Sequence, residues 1–302
     1  MSRVVRGSYR GYEIVGLDVP AAGAVCIQAL QIMENFDPES MRPEEWAAVS
    51  GQAIGLASSE LGVLGTDTAA ARATSKEWAR KQASKVISPG GGPESAPPSP
   101  AAGLYEARGV PSSGPQSHFT THISIADSDG MTVGLTQTVG PVMGSKVATP
   151  GLGFHYAVTL GGYLMESGPG ARARSFVSPL MILKDGTPIL VLGAAGGEKI
   201  VSSVVQIASR VIDNGMRLPE AMAAPRVAMG FNGTLAMETS GPKGWTQEQI
   251  ERVRAMGIPV SPSPGPVAFA LVQALRHNPL TGRWTAVSEP DGEGTAMGIG
   301  RN

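Results

Sequence analysis

The chain has 302 residues, with 24 Lys plus Arg against 25 Asp plus Glu, and its formal net charge is −1. This balance argues against a nucleic-acid or polybasic membrane surface as the main function. Charged residues make up 16% and hydrophobic residues 42%, so wholesale disorder is also excluded. The single cysteine, Cys26, rules out an internal disulfide framework and any multi-cysteine metal site.

No apolar run approaches the roughly 18 residues that span a bilayer. The N-terminus lacks the compact apolar stretch of a signal peptide. As written, the sequence predicts a cytoplasmic protein with neither a nucleic-acid nor a membrane partner. If a segment upstream of Met1 is missing, we expect a periplasmic or secreted location instead.

The predicted elements begin with a strand over residues 10–18. A helix follows Pro20, and its apolar positions recur with helical spacing at Cys26, Ala29, Leu30 and Met33. Further helices are predicted over 43–61 and 69–86. Proline, glycine and serine then dominate residues 88–117, which predicts an exposed linker without a packed core.

Alternating strands follow the linker. The segments around Ile123 and Val133 flank an Asp-Ser-Asp-Gly turn and predict a hairpin. A second hairpin is predicted from 176–184 and 188–192, turning at Asp185-Gly186. The remaining predictions are a helix over 201–212, a capping-box helix over 246–256, and a hairpin of 267–276 with 283–288. Strand layers with helices alongside indicate a layered α/β or α+β fold.

None of the four histidines has metal-ligand spacing, so we expect no metal and no cofactor. The turn Gly193-Ala194-Ala195-Gly196-Gly197 joins a strand to a helix. It is either a tight packing turn or a place where backbone N–H groups hold an anion or oxyanion.

Thr120 and Thr121 open a strand directly after the linker. Threonine is common at strand starts, so the pair alone predicts only a strand. If the Phe119–Thr120 bond is cut, however, Thr120 carries a free α-amine that could deprotonate its own hydroxyl. An N-terminal threonine of this kind is a recognised nucleophile–base pairing.

Several segments together resemble the γ-glutamyltranspeptidase (γ-glutamyltransferase) family of N-terminal-nucleophile hydrolases. They are Thr120 to Ile125 with Asp129-Gly130, Thr138 and Gly144, then LKDGTPILVLGAAGG, EAMAAPRV, and the N-terminal run GSYRGYEIVGLDVPAAGAVCIQALQIMENFD. The resemblance covers nearly all of the chain. It implies that residues 1–119 match the later part of a large subunit and residues 120–302 a small subunit. Both would form one domain, an α+β, four-layer αββα sandwich.

The resemblance also implies roles for individual residues. The precursor would cleave itself between Phe119 and Thr120, which becomes the nucleophile, with its amine as the general base. Thr138 would hydrogen-bond to that nucleophile, and Gly196 and Gly197 would form the oxyanion hole.

The sequence departs from the family pattern around the substrate. Gly140 stands where the family has asparagine, and Ser175-Phe176 stands where it has a paired serine that binds carboxylate. Residues 151–163 replace an Asn- and Asp-rich stretch, and the first half of the large subunit is missing. Gly140, Ser175 and Phe176 are therefore expected to line a substrate site with altered, less polar acyl specificity.

The leading interpretation is a self-processing Thr-nucleophile amidohydrolase or acyltransferase that acts on a small-molecule amide or γ-glutamyl-like substrate. One alternative is a true γ-glutamyl hydrolase or transferase whose missing half is either a separate large-subunit-like partner chain or an omitted upstream sequence. The other is a non-catalytic remnant or scaffold subunit. Cleavage of the chain before Thr120 would favour either enzyme.

Overall fold

The computed structural model describes residues 3–59, 67–89, 119–140, 143–158, 175–230, 232–240, 243–264, 269–292 and 294–299. The helices are α1 (Gly23–Met33), α2 (Pro43–Ser59), α3 (Asp67–Ala73), α4 (Lys76–Ala83), α5 (Lys199–Ile212), α6 (Leu218–Ala223) and α7 (Gln247–Ala255). The strands are β1 (Val4–Tyr9), β2 (Tyr12–Leu17), β3 (Phe119–Ala126), β4 (Thr132–Gly140), β5 (Leu180–Lys184), β6 (Thr187–Ala195), β7 (Val227–Met229), β8 (Leu235–Glu238), β9 (Val260–Ser263), β10 (Leu271–Asn278) and β11 (Arg283–Ser288).

The largest sheet has six antiparallel strands in the order β1-β2-β5-β6-β10-β11. Its centre joins distant parts of the chain, since β2 pairs with β5 with Ile14 opposite Ile182. The segments before and after the predicted linker therefore share one hydrogen-bonded sheet.

Alternation along β6 separates the two faces of this sheet. Leu190, Leu192 and Ala194 belong to the main core, where helices α1, α2 and α5 pack. Val191 and Gly193 point to the opposite face, where they meet the β3–β4 hairpin. The molecule is thus layered as helices, six-stranded sheet and two-stranded sheet across the described residues.

A smaller unit flanks the main core. Strands β7, β8 and β9 form a three-stranded sheet, antiparallel between β7 and β8 and parallel between β8 and β9. Leu235, Met237 and Trp245 pack there against the second face of α2 and against α7. Helix α7 begins with the predicted capping box, in which the Thr246 hydroxyl accepts a hydrogen bond from the Gln249 amide.

Most predicted elements are confirmed with shifted ends, including α1, α2, α5, α7 and all three hairpins. The prediction of one helix over 69–86 is wrong: α3 ends at Ala73 and α4 starts at Lys76, because the Ser75 hydroxyl accepts a hydrogen bond from the Trp78 amide and caps a new helix.

Strand β1, helix α6 and strands β7–β9 were not predicted. The linker over 88–117 lies outside the described residues, apart from its first two. Within the described ranges, no helix is long and apolar enough to cross a membrane.

Candidate functional site

Thr120 lies at the start of β3, opposite Thr138 of β4. The pairing shifts register between Phe119 and Thr120, since Phe119 pairs with Gly140 and Val139 is left without a partner across the strands. The Val139 carbonyl instead accepts a hydrogen bond from the Val158 amide, at 3.0 Å. Register shifts of this kind are over-represented next to active sites. This one falls on the bond that the sequence predicts to be cut.

Thr138 and Gly140 are tied together at the end of β4. The Gly140 amide donates a hydrogen bond to the Thr138 hydroxyl over 3.1 Å. Gly140 has φ +84, and a Cβ there would lie 3.1 Å from the Val158 carbonyl oxygen. A side chain at position 140 would therefore be strained and crowded, which explains glycine there on structural grounds alone.

His122 fixes β3 onto the large sheet. Its ring is 5% exposed and lies over Gly193 of β6, where a Cβ would come within 2.4 Å of ring atoms. Its Nδ1 lies 2.7 Å from the Thr136 hydroxyl and its Nε2 lies 2.9 Å from the Ser124 hydroxyl. The first glycine of the Gly193–Gly197 turn thus makes room for an imidazole.

The same contact aligns β3 with the glycine turn. His122 lies over Gly193, and the Ser124 hydroxyl donates to the Val191 carbonyl at 3.4 Å, so the two strands run antiparallel through the stack. Both strands advance by about 3.3 Å per residue. Continued for two more residues, this register would bring Thr120 toward Ala195, the residue before Gly196.

Gly196 and Gly197 link β6 to α5, and both have backbone conformations that glycine adopts easily and other residues rarely adopt. Their φ values are +149 and +60. A Cβ on Gly196 would lie 2.6 Å from both Cα and Cβ of Ala270. Helix α5 starts two residues later, at Lys199, so the positive end of its dipole is directed at this turn. A developing oxyanion would be stabilised there.

Ser175 and Phe176 precede β5 and lie at the same end of the sheet, because Leu180 pairs with Leu192. The Ser175 hydroxyl accepts a hydrogen bond from the Val177 amide at 3.3 Å. Phe176 packs against the main core and borders a cavity of about 270 Å³ between α2, the start of α5 and the β7–β9 sheet. Ile54, Met229 and Ala236 supply apolar lining to that cavity.

The segment that replaces the family's Asn- and Asp-rich stretch is described only to residue 158. Phe154 and Tyr156 are 53% and 44% exposed and pack edge to face at 5.9 Å. The Tyr156 carbonyl accepts from the Ser145 amide, and a Cβ on Gly144 would lie 2.3 Å from that oxygen. Residues 159–163 of this stretch lie outside the described residues.

A buried ion pair, for which the sequence predicted no role, lies next to the residue that packs against the glycine turn. Arg226 Nη2 lies 2.8 Å from each carboxylate oxygen of Glu289, and both side chains are buried. Arg226 Nη1 also donates to the carbonyl of Ala270, the residue against Gly196, at 2.6 Å. The sequence signal for this pair was the EAMAAPRV segment, which contains Arg226.

Cys26 and the metal-ligating residue types are the remaining candidates for chemistry among the described residues. Cys26 is fully buried, and burial raises the pKa of its thiol to about 12, so a reactive thiolate is disfavoured. In the residues that the structure covers, no cluster of three or more His, Cys, Asp or Glu could hold a metal ion.

Burial makes His122 an acid-sensitive part of this site, because desolvation lowers its pKa from 6.5 to about 4. The folded state resists protonation there and the unfolded state does not, so stability is complete above pH 6.5 and is lost as the pH falls toward 4. The full loss is about 3 kcal/mol. We expect His122→Gln to show a smaller decrease in urea midpoint than the wild type between pH 7.5 and 4.5. Equal decreases in wild type, His122→Gln and the control His155→Gln would contradict this assignment.

Comparison with known proteins places these features in a family. A model of the gamma-glutamyltranspeptidase family matches residues 1–299. The acylase ACY 1 proenzyme of Pseudomonas sp. strain V22 is 33% identical over 262 residues, which cover 82% of this chain and 44% of the relative. The glutathione hydrolase proenzyme of Escherichia coli strain K12 is 27% identical over 277 residues, covering 85% and 46%. The chain spans about half the length of the curated relatives that it matches.

Solved structures confirm the predicted α+β, αββα fold of N-terminal-nucleophile type. A cephalosporin acylase from Bacillus halodurans aligns with a TM-score of 0.78 over 99% of this chain and 54% of its own, at 19% identity. The gamma-glutamyltranspeptidase from Pseudomonas nitroreducens complexed with L-DON aligns with a TM-score of 0.51 at 29% identity, covering 60% of this chain and 100% of that one. The described residues of this chain contribute one helical layer and both sheets of the sandwich.

Proposed function

Because the chain belongs to the gamma-glutamyltranspeptidase family, we propose that it is a self-processing amidohydrolase or acyltransferase whose nucleophile is Thr120. The observation that carries the proposal is the stacking of β3 on β6 through His122 and Gly193. Thr120 lies two residues before His122 on β3, at the register shift in the β3–β4 hairpin, and the proposal takes it to reach the glycine turn at that end of β6.

Self-cleavage is the first step. The Thr120 hydroxyl attacks the Phe119 carbonyl carbon, and the peptide C–N bond breaks as an ester to the threonine oxygen forms. Water then hydrolyses the ester, releasing the Phe119 carboxylate and restoring the hydroxyl. The second piece now begins with a free α-amine, whose ordinary pKa of about 7.7–8.0 suits a base near neutral pH.

Amide turnover uses the same groups. The α-amine takes the proton of the Thr120 hydroxyl as that oxygen attacks the substrate carbonyl, and later gives it to the leaving amine. Thr138 positions the attacking oxygen, and the Gly196 and Gly197 amides stabilise the tetrahedral oxyanion. Water or an acceptor amine then attacks the acyl-enzyme, so the product is an acid or a new amide.

The substrate we propose is a small-molecule amide with a less polar acyl group than a γ-glutamyl group. Gly140 carries no amide side chain, and Ser175 is followed by Phe176 instead of a second serine. A site that pairs the charged groups of an amino acid rejects ligands without those groups, because the polar groups of the site would stay unpaired. A site that has lost such pairing groups would no longer reject a less polar acyl group. In the cavity beside Phe176, Ile54 and Met229 could contact the less polar part of an acyl chain, next to polar side chains such as Glu198 and Lys199.

A large-subunit-like partner chain is the second part of the proposal. The chain matches 44% and 46% of the length of its curated relatives, so about half of each relative has no counterpart here. A second polypeptide would supply that half, and activity on amides would then be measured on the complex.

The primary test is the mass of the purified, denatured protein, with N-terminal sequencing of each species. We expect pieces of 119 and 183 residues, the larger beginning Thr-Thr-His. Cleavage with turnover of apolar acyl anilides supports the proposal, whereas preference for a γ-glutamyl anilide favours the γ-glutamyl alternative. A chain that stays whole after prolonged incubation, alone and with the partner half, would leave only the non-catalytic interpretation.

A further inference from the structure

We propose that Arg226 and Glu289 are positioning residues for the glycine turn that carries Gly196 and Gly197. The two buried side chains hold the start of β10, and the start of β10 holds Gly196. Neither side chain would touch the reacting atoms, so each acts only through the backbone of the turn. The proposal deepens the proposed function and rests on it for the use of the turn as an oxyanion hole.

The ion pair binds the first residues of β10 on both sides of Leu271. Arg226 Nη1 donates a hydrogen bond to the Ala270 carbonyl over 2.6 Å. The Glu289 carboxylate accepts a hydrogen bond from the Val272 amide over 2.9 Å. Because Arg226 Nη2 lies 2.8 Å from both oxygens of that carboxylate, the two anchors form one connected unit.

The anchored residues are the ones that meet the glycine turn. Leu271 pairs with Ala195, the last residue of β6, and Ala270 lies against Gly196. A Cβ on Gly196 would lie 2.6 Å from the Cα of Ala270, so the two backbones are in direct contact. Protein interiors are close-packed, so a shift of Ala270 is passed to Gly196 or leaves a gap beside it.

Arg226 is fixed at its own backbone by the smaller unit of the molecule. Its amide donates to the Glu238 carboxylate over 2.8 Å, and its carbonyl accepts from the Trp245 indole N–H over 3.1 Å. Its Nη2 also donates to the Met222 carbonyl over 2.9 Å. A guanidinium presents its donors in the fixed directions of a planar fork. The position of the smaller unit is therefore transmitted through Arg226 to the start of β10.

The burial of the pair favours positioning over stabilisation alone. Arg226 is 3% and Glu289 4% exposed. Burial removes the solvation of both charges, and an apolar pair of similar volume often stabilises a fold at least as well. Within the described residues, the Nε of Arg226 is also buried without a hydrogen-bond partner. An apolar pair would not provide the directed hydrogen bonds to the Ala270 carbonyl and the Val272 amide.

Three variants of the full chain test this role. Arg226→Lys keeps the charge but replaces the planar fork with one ammonium group, which cannot hold Ala270 and Glu289 in the same directions. Glu289→Gln keeps the length of the side chain but has one acceptor oxygen where the carboxylate has two. Arg210→Lys is the matched control. Arg210 is also buried, donates to three backbone carbonyls, and lies near the end of α5 farthest from the glycine turn.

The first measurement records the Gly196 and Gly197 amide resonances of protein labelled with ¹⁵N-glycine. We expect Arg226→Lys and Glu289→Gln to shift both resonances, and Arg210→Lys to leave them at the wild-type positions. This readout does not require an active enzyme. Unshifted resonances in a pair variant that keeps the wild-type circular dichroism spectrum would overturn the proposal.

The second measurement separates kcat from KM for acyl anilide hydrolysis. We expect each pair variant to lower kcat about tenfold to a hundredfold and to change KM less than about threefold, because a displaced turn loses the developing oxyanion rather than the bound substrate. Wild-type kcat in the pair variants, or an equal loss in Arg210→Lys, would overturn the positioning role. A wild type that neither cleaves itself nor hydrolyses anilides contradicts the proposed function alone, and the glycine resonances then decide the positioning role.

Discussion

Replacement of Thr120 by alanine is expected to leave the chain whole and to lower amide turnover by more than about a thousandfold. The variant removes the hydroxyl that attacks the Phe119 carbonyl, so neither the cut nor the free amine can form. The measurements are denatured mass after prolonged incubation and the rate of acyl anilide hydrolysis, each with the partner half present.

Two neighbouring variants make this result specific. Thr120→Ser keeps a hydroxyl on the Cβ of residue 120, so this variant should still cleave the bond after Phe119. Thr121→Ala removes a hydroxyl from the next residue of β3, opposite Gln137, and should cleave as the wild type does. Turnover that survives in Thr120→Ala would show that another group is the nucleophile.

Replacement of Gly196 by alanine should lower kcat by about a hundredfold to a thousandfold, with a smaller effect on KM. The new Cβ would lie 2.6 Å from Ala270, at a φ of +149 that non-glycine residues rarely adopt. The turn must then shift, which moves the two amides away from the developing oxyanion.

Gly186→Ala controls for backbone strain. Gly186 also has a positive φ, +77, but a Cβ there meets nothing within 4 Å, and Gly186 lies at the opposite end of β6 from Gly196. It should lower the thermal midpoint without lowering kcat. A Gly196→Ala enzyme with wild-type kcat and an unchanged fold would remove the oxyanion role from this turn.

Sequence pattern alone predicted the β3–β4 hairpin but not the direction in which it faces. Ile123 and Leu135 have the alternation of a core face, yet they point outward. The decisive contact is the buried His122 ring over Gly193, which depends on two residues 71 positions apart. Local periodicity carries no information about such a pair.

The site residues came from the family resemblance, and their chemical roles stay predictions. The structure adds that Gly196 follows the end of β6, that Ser175 precedes the neighbouring β5, and that Thr120 begins β3. It also adds the Arg226–Glu289 pair. The two residues are 63 positions apart, so no short sequence motif could predict their contact. The short strands β7–β9 were missed because three- and four-residue strands leave too few positions to establish a period.

Because β2 pairs with β5, a cleaved molecule would refold by a different route from the uncleaved chain. Once the Phe119–Thr120 bond is cut, the strands of the large sheet belong to two chains, and the main core mixes residues such as Val5 and Leu192 from both. Folding before the cut is unimolecular, whereas refolding after it requires two fragments to meet and so depends on their concentration. The peptide link would then serve as an assembly aid that is used once, and a cleaved protein that unfolds in dilute solution would have little chance of recovery.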